Sequence, residues 1–378
     1  MSAAPSHPAH LDPSELGTKE YWDRYYQNDL DNGSPSSDED DDDDENNNAD
    51  ADDDDEYHGT GAEPPDPSEL ESWFDDVGAP QKTLAFLTST TFPLSPNYIG
   101  AGDDDHSDAE GSSTTTATAT ATDLPPTVLD LGTGNGSALF ALRLEGGYTG
   151  RMVGVDYSTQ SVELARKLWR QYGSSWRASA PAPTNSTSSS SAASTTSASA
   201  APSTTTPTPT SAEPHPDSEP ESDITFQVLD LIHDTPAQQA WWPTSAGGFD
   251  LVLDKGTFDA ISLSSATVTV TVTGTGTVVE PDASPNASQF TPSRDRREWR
   301  VCELYPAKVL AMVKPGGFLL VTSCNWTEEE VVAWFTGAES EPQSTGRFEV
   351  YDTIKYPVFE FGGQRGQGVA SVCFRKVI

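Results

Sequence analysis

Three glycines and one acidic residue follow a short apolar run near residue 130. In the segment VLDLGTGNGSA, Asp130 stands two residues before Gly132, and Gly134 and Gly136 follow at alternate positions. Glycines let the backbone turn sharply and approach a ligand closely, and a helix that begins there offers free N–H groups. Dinucleotide sites use a similar loop, but their usual spacing puts a glycine where Ser137 stands here. An acid before the loop would repel phosphate and favours a ligand that carries a cation.

Two further acids end apolar runs downstream of this loop. Asp156 ends RMVGVD, where a carboxylate can accept hydrogen bonds from two ribose hydroxyls. Asp230 lies near the end of ITFQVLDL and could accept a hydrogen bond from the exocyclic amine of adenine, or could satisfy a turn of its own backbone. A ligand with a cation, a ribose and an adenine but no phosphate is S-adenosylmethionine. The loop and the acids together favour this cofactor.

The segment FDLVLDKGTFDAI, residues 249 to 261, ends an apolar strand on an acid, a base and a glycine. Asp254 could cap the helix that follows. Lys255 is expected to point away or to form a salt bridge, and Gly256 allows a close turn.

These residues lie where apolar runs alternate with amphipathic segments, a pattern typical of a parallel sheet flanked by helices. The expected strands are 127–131, 151–158, 224–231, 249–256 and 314–325, and 348–363 with 369–377 form a closing antiparallel pair. The expected helices are 137–147, 158–173, about 297–312 and 327–335. Each candidate site residue follows a strand, at the edge where such sheets bind ligands.

Four stretches have a composition that is typical of disorder or of flexible insertions: 31–66, 100–123, 178–222 and 264–297. The first contains the acidic run DEDDDDDENNNADADDDDE, which repels itself and cannot form a core. The fourth contains ATVTVTVTGTGTVVE, whose period of two also fits an exposed hairpin. The remainder is about the size of one α/β domain, so we expect a single domain over residues 1–378.

Charge and cysteine content narrow the class of protein. The net charge is −38, and a chain without a basic stripe is not expected to bind nucleic acid, which is held mainly by Lys and Arg. Three dispersed cysteines, Cys302, Cys324 and Cys373, indicate neither a disulfide framework nor a zinc site, so no metal is expected. No signal peptide or membrane span is evident, and a cytoplasmic protein without membrane contact is expected.

Several motifs in the sequence resemble those of the class I, seven-stranded methyltransferases that use S-adenosylmethionine. More narrowly, the chain is similar to the lysine methyltransferases of translation elongation factor 1A, namely the elongation factor methyltransferase 4 group of fungi and its animal counterpart, methyltransferase-like protein 10. The motifs are ELGTKEYWDRYYQNDL (15–30), ESWFDD (71–76), LDLGTGNG (129–136), GVDYS (154–158), LDKGTFDAIS (253–262), KPGGFLLVTSCNWTEEE (314–330) and FEFGGQRGQGVASVCFRK (359–376).

The resemblance implies a Rossmann-like α/β fold, a mostly parallel seven-stranded sheet with an antiparallel C-terminal hairpin, flanked by helices. Its expected cofactor residues are Asp130, Gly132, Gly134, Asn135, Gly136, Asp156, Tyr157, Asp230, Leu231 and Trp73. The resemblance implies that Asp254 is the catalytic residue, which would hold the target amine or a water near it. The expected substrate-binding residues are Asp254, Lys255, Gly256, Thr257, Asn325 and Trp326.

Several of these residues have an equally simple structural interpretation. Trp73 could be a core residue instead of a cover over the cofactor. Asn325 and Trp326 could merely precede a helix that Thr327 caps. Trp22, Tyr25 and Tyr26 are spaced for one helix face and are expected to pack rather than to contact substrate.

The implied function is transfer of a methyl group to a lysine of elongation factor 1A by a monomeric enzyme. Three alternatives remain at this point. The acceptor could be another protein or a small molecule, because a fold does not identify a substrate. The fold could serve binding without catalysis. A nicotinamide-dependent oxidoreductase would share the strand, loop and acid, but Asp130 and the missing glycine count against it.

Overall fold

The computed structural model describes residues 7–32, 70, 72–100, 124–179, 224–273, 276–279, 296–337, 346–361 and 364–378. The helices are α1 (Lys19–Asn32), α2 (Ala79–Leu87), α3 (Ser137–Leu144), α4 (Thr159–Ser179), α5 (Thr257–Ser262), α6 (Val301–Met312) and α7 (Glu328–Thr336). The strands are β1 (Val128–Leu131), β2 (Met152–Asp156), β3 (Ile224–Val228), β4 (Phe249–Lys255), β5 (Thr267–Thr273), β6 (Gly276–Val279), β7 (Arg296–Arg300), β8 (Val313–Ser323), β9 (Arg347–Ile354), β10 (Val358–Phe361), β11 (Gln364–Gln367) and β12 (Ala370–Val377).

Seven strands form the central sheet in the order β3, β2, β1, β4, β8, β12, β9. The first five are parallel, and β12 runs antiparallel to both β8 and β9. The expected α/β sheet with an antiparallel C-terminal pair is confirmed. Every residue of β1 and β2 is buried, as expected of parallel strands with helices on both faces.

The chain order reverses between β1 and β4. From β1 the sheet grows outward through β2 and β3 on one side, and through β4 and β8 on the other. In open α/β sheets a crevice forms at this switch point, outside the carboxyl ends of the strands. The loops after β1 and β4 carry the glycine motif and the Asp-Lys-Gly tip, so both predicted sites meet at one edge.

Two helix boundaries differ from the sequence prediction. The helix expected to end at Gly173 continues to Ser179, because Trp176 is buried and packs at 5.3 Å from the Phe140 ring. Tertiary packing here outweighs the low helix propensity of glycine. The helix expected from about 297 begins at Val301, because Arg296–Arg300 pairs with β5 as a strand.

Of the four proposed insertions, the structure describes a substantial part of 264–297. There β5 and β6 pair as an antiparallel hairpin, and β7 adds a third strand. The described part of the alternating Thr-Val run is therefore paired as the hairpin interpretation predicts. Nearly all of 31–66, 100–123 and 178–222 lies outside the described residues.

Candidate functional site

A cavity of about 310 Å³ opens at the carboxyl ends of β1, β2 and β4. Its floor is the switch point of the sheet, and α1 with the Trp73 segment forms its other walls. The predicted site residues that line it are Trp73, Asp130, Gly132, Gly134, Asn135, Asp156, Tyr157, Asp230, Leu231, Lys255, Gly256 and Thr257. The structure thus brings most of the predicted residues together around one space.

The glycine loop forms one wall of the cavity. Gly132, Gly134 and Gly136 have φ angles of 61°, 57° and 88°, in the left-handed region that favours glycine. The hydroxyl of Thr133 donates a hydrogen bond of 2.8 Å to the Asp130 carboxylate. Asp130 is only 3% exposed, and burial raises its pKa to about 6. A cationic ligand stabilises the ionised form of a buried carboxyl group, so Asp130 is suited to bind such a ligand.

Asp156 holds the middle of this loop in place. Its two carboxylate oxygens accept hydrogen bonds from the backbone N–H of Gly134, at 3.1 Å, and of Ser158, at 2.9 Å. Burial raises the pKa of Asp156, although these bonds oppose the shift. Ser158 is also the cap of α4, since its hydroxyl accepts from the Ser161 N–H. Asp156 therefore connects loop, strand and helix at the cavity wall.

Asp230 lies at the cavity edge but is already occupied in a turn. Its carboxylate accepts from the backbone N–H of Ile232 and His233, and lies 2.9 Å from Nδ1 of His233. Partial burial would raise the pKa of Asp230, but the hydrogen bonds from His233 and Ile232 outweigh it and lower that pKa. In the structure, Asp230 therefore satisfies a turn of its own backbone, which is one of the two interpretations that the sequence allowed.

Asp254 is not among the described residues that line this cavity, and its expected position beside the reacting atoms stays a prediction. One oxygen accepts from the backbone N–H of Thr257 and Phe258, and the other accepts from the hydroxyl of Tyr305 at 2.7 Å. The side chain is 1% exposed, and burial raises its pKa to about 7. Asp254 thus caps α5, and it lines a second, smaller cavity of about 80 Å³ together with Asp130 and Lys255.

Lys255, next along the strand, lies on the cavity wall instead of pointing away. Its Nζ is 3.4 Å from the carbonyl oxygen of Trp73. Burial lowers its pKa, while Asp130, Asp75 and Asp254 oppose that shift. Beside it, the Thr257 hydroxyl donates a 2.6 Å hydrogen bond to the Leu131 carbonyl and ties α5 to the end of β1.

Asn325 and Trp326 are not among the described residues that line the cavity, and their expected substrate contact stays a prediction. Trp326 is buried among aromatic rings, and its Nε1 donates to the Ser262 hydroxyl at 3.2 Å. Thr327 caps α7 through a reciprocal capping box with Glu330. These contacts agree with the alternative interpretation, in which Asn325 and Trp326 precede a helix that Thr327 caps.

The contribution of α1 to the cavity was missed by sequence reasoning. Trp22, Tyr25 and Tyr26 pack together as expected, and they also line the cavity with Lys19 and Asp29. The rings of Trp22 and Trp73 lie 5.1 Å apart, so both aromatic segments meet above the glycine loop. The spacing of the aromatics identified one helix face but could not indicate what that face covers.

Comparison with known proteins agrees with the resemblance seen in the motifs. Residues 126–179 match a family model described as a methyltransferase domain. The chain is 28% identical to the protein-lysine N-methyltransferase EFM4 of Saccharomyces cerevisiae, over 97% of both chains. It is 26% identical to efm4 of Schizosaccharomyces pombe, over 97% of this chain and 95% of that one. It is 23% identical to the human EEF1A lysine methyltransferase 2, over 97% of this chain and 88% of that one.

No membrane-spanning candidate occurs among the helices that the structure describes, since none is both long and apolar enough.

Proposed function

We propose that this chain, a methyltransferase-domain protein homologous to EFM4 and to the EEF1A lysine methyltransferase 2 proteins, transfers a methyl group from S-adenosylmethionine to a lysine of translation elongation factor 1A. The main support for this proposal is that the similarity to the yeast enzyme extends over 97% of both chains. It therefore includes the acceptor side of the protein as well as the cofactor domain. A likeness confined to residues 126–179 would support the cofactor alone.

The chemistry of the cavity fits this cofactor. S-adenosylmethionine supplies a methyl group on a positively charged sulfur, beside an amino acid, a ribose and an adenine. Asp130 is a buried acid suited to the cationic end, and Asp156 suits the ribose hydroxyls. An added Cβ at Gly134 would lie 2.7 Å from the Tyr26 hydroxyl, so the loop passes the cavity as bare backbone. Trp73 and Tyr157 supply aromatic rings to the lining, which suits the flat adenine of the ligand.

The acceptor amine must lose its proton before transfer, because an ammonium nitrogen has no lone pair. Burial lowers the pKa of Lys255 on this wall, and the same desolvation would act on an incoming lysine. The Lys255–Gly256–Thr257 wall would position the amine in line with the methyl group. We assign Asp254 an indirect part, since it holds the α5 end that carries Thr257.

A transfer assay tests the proposal. Purified protein is incubated with labelled S-adenosylmethionine and elongation factor 1A, and the acceptor is mapped by mass spectrometry. We expect label on lysine, and its loss in Asp156→Ala. Label on another protein or on a small molecule would overturn the proposed substrate. Cofactor binding by calorimetry without any transfer would favour a non-catalytic binding protein.

The affinity for S-adenosylmethionine should depend on pH through Asp130, whose pKa burial raises to about 6. A cationic ligand favours the ionised carboxylate, so the proton must leave on binding. Affinity should fall as the pH drops from 7.5 to 5, with a midpoint near 6. Calorimetry over this range should show a flatter and weaker profile for Asp130→Asn. Equal pH dependence in the two proteins would remove Asp130 from the cation site.

Three further expectations belong to the same proposal. The enzyme would act as a monomer, without nucleic acid or membrane contact, and in the cytoplasm where elongation factor 1A serves translation. Sedimentation of the purified protein and fractionation of cells test the first and the last of these.

A further inference from the structure

Two histidines ahead of α1 meet one glutamate of α6, on a part of the molecule outside the cavity. Nε2 of His7 lies 3.2 Å from Oε1 of Glu303, and Nε2 of His10 lies 3.7 Å from the same oxygen. One ligand atom of each residue lies within 4.8 Å of the other two. His7 and His10 are three positions apart, but Glu303 is far from both in the sequence, so no local motif indicated the cluster.

The His7 ring is held in the orientation of a metal ligand. Its Nδ1 lies 2.8 Å from the carbonyl oxygen of Pro8, which can only accept, so Nδ1 carries a proton. In the neutral ring, Nε2 then keeps its lone pair and faces Glu303. Metal-binding histidines commonly donate their second N–H to a backbone carbonyl in this way. Stacking on Trp334, at 4.5 Å, and on His10, at 5.0 Å, further fixes the ring.

The glutamate is held from its other side. Oε2 of Glu303 accepts a 2.6 Å hydrogen bond from the backbone N–H of Arg300, so Oε1 is the atom turned to both imidazoles. The Arg300 guanidinium would oppose a nearby cation, but it donates to three carbonyl oxygens, those of Leu11, Ser262 and Ser264.

We propose that His7, His10 and Glu303 bind one Zn²⁺ ion through two imidazole nitrogens and one carboxylate oxygen, with the fourth position open to solvent. In a tetrahedron with bonds of about 2.0 Å, neighbouring ligand atoms lie roughly 3.3 Å apart. The two measured nitrogen to oxygen separations lie close to that edge length.

The ion would anchor the segment that leads into the cavity wall. After His10, Leu11 packs against the core, and the backbone N–H of Ser14 donates to the Leu263 carbonyl at 3.1 Å. An added Cβ at Gly17 would lie 2.3 Å from the Leu263 backbone, so the chain is pressed against it there. α1 begins two residues later. Zinc would therefore stabilise the folded arrangement of α1 from its entry side.

The full chain provides the test. Zn²⁺ is titrated in competition with a chromogenic chelator, in excess Mg²⁺ so that the acidic run 38–56 is saturated with a cation that prefers oxygen. We expect one zinc equivalent whose affinity falls at least tenfold in His10→Asn and in Glu303→Gln. Glu303→Gln retains an oxygen that can accept from Arg300, so the helix start is preserved. Cys324→Ser, at an exposed thiol that is not one of the three cluster residues, is the matched control and should bind as the parent does.

Thermal unfolding gives a second, independent readout. A ligand that binds only the folded state raises the unfolding midpoint as its concentration rises. Zn²⁺ should raise the midpoint of the parent and of Cys324→Ser, and should leave His10→Asn nearly unchanged. Zinc affinity that is equal in the parent, His10→Asn and Glu303→Gln would overturn the proposal, as would the absence of a zinc equivalent in the parent.

Discussion

Replacing Asp254 with alanine should lower the free energy of unfolding by about 3 kcal/mol. The carboxylate caps α5 through the N–H groups of Thr257 and Phe258, and such caps contribute about 1 kcal/mol. Its loss also leaves the buried Tyr305 hydroxyl without its acceptor, which costs about 1–3 kcal/mol. Urea unfolding followed by circular dichroism measures the change.

Tyr305→Phe and Asp254→Asn serve as controls for this prediction. The phenylalanine variant leaves one buried oxygen of Asp254 without its donor but keeps the cap of α5, so it should lose about 1–3 kcal/mol, less than Asp254→Ala. Asparagine keeps one oxygen for the two N–H groups of α5, and its amide can donate to the Tyr305 oxygen. It should fall between the parent and Asp254→Ala. An alanine variant of normal stability that fails only in methyl transfer would restore the catalytic role inferred from sequence.

The burial of Asp254 also predicts that the stability of the protein depends on pH. Burial raises the pKa of Asp254 in the folded protein to about 7, above the roughly 3.9 of an unfolded chain. Its contribution to stability is therefore complete below the unfolded value and is lost as the pH rises through 7. Unfolding at pH 5.5 and 8 should show the parent losing stability relative to Asp254→Asn. Because Asp130 titrates in both proteins, their difference isolates Asp254.

The orientation of the Asp254 side chain could not be predicted from the sequence. Neighbouring residues of a strand point to opposite faces of the sheet, so the side chains of Asp254 and Lys255 meet different surroundings, although both residues line a smaller cavity of about 80 Å³. The sequence located the strand tip through its apolar run and its glycine. Which face carries the cavity depends on where α1 and the Trp73 segment pack, and no local pattern encodes that. In the structure Lys255 lines the large cavity, whereas Asp254 caps α5.

The conformation of the glycine loop, by contrast, could be predicted from the sequence. Its requirement is local, since residues with left-handed φ angles after a buried strand favour glycine whatever packs above them. Asp156 followed from its distance along the chain to this loop. The extension of α4 beyond Gly173 depended instead on Trp176 finding Phe140, a contact that spacing within one helix cannot reveal.

Gly132→Ala should reduce methyl transfer about a hundredfold, the scale expected when a catalytic geometry shifts by about 1 Å. The added Cβ would lie 2.1 Å from Oγ1 of Thr257, and that hydroxyl is fixed by its bond to the Leu131 carbonyl. The loop after β1 and the start of α5 must then move apart. Both form the cavity wall, so cofactor and acceptor would lose their alignment.

Gly247→Ala is the matched control, because φ is +68° there and +61° at Gly132, so both variants strain the backbone alike. An added Cβ at Gly247 meets nothing within 4 Å. Steady-state transfer and cofactor titration on the two variants therefore separate backbone strain from the collision with Thr257.

A second change tests whether that collision is the cause. Thr257→Ala removes the hydroxyl that the new Cβ would strike, although its own Cβ would still lie 3.1 Å away. If the collision displaces the loop, Gly132→Ala combined with Thr257→Ala should regain part of the transfer that Gly132→Ala loses, a coupling that distant sites do not show. Equal losses in Gly132→Ala and Gly247→Ala, with no recovery in the double variant, would mean that backbone strain alone limits this loop. The close approach of β1 to α5 would then have no part in shaping the cavity.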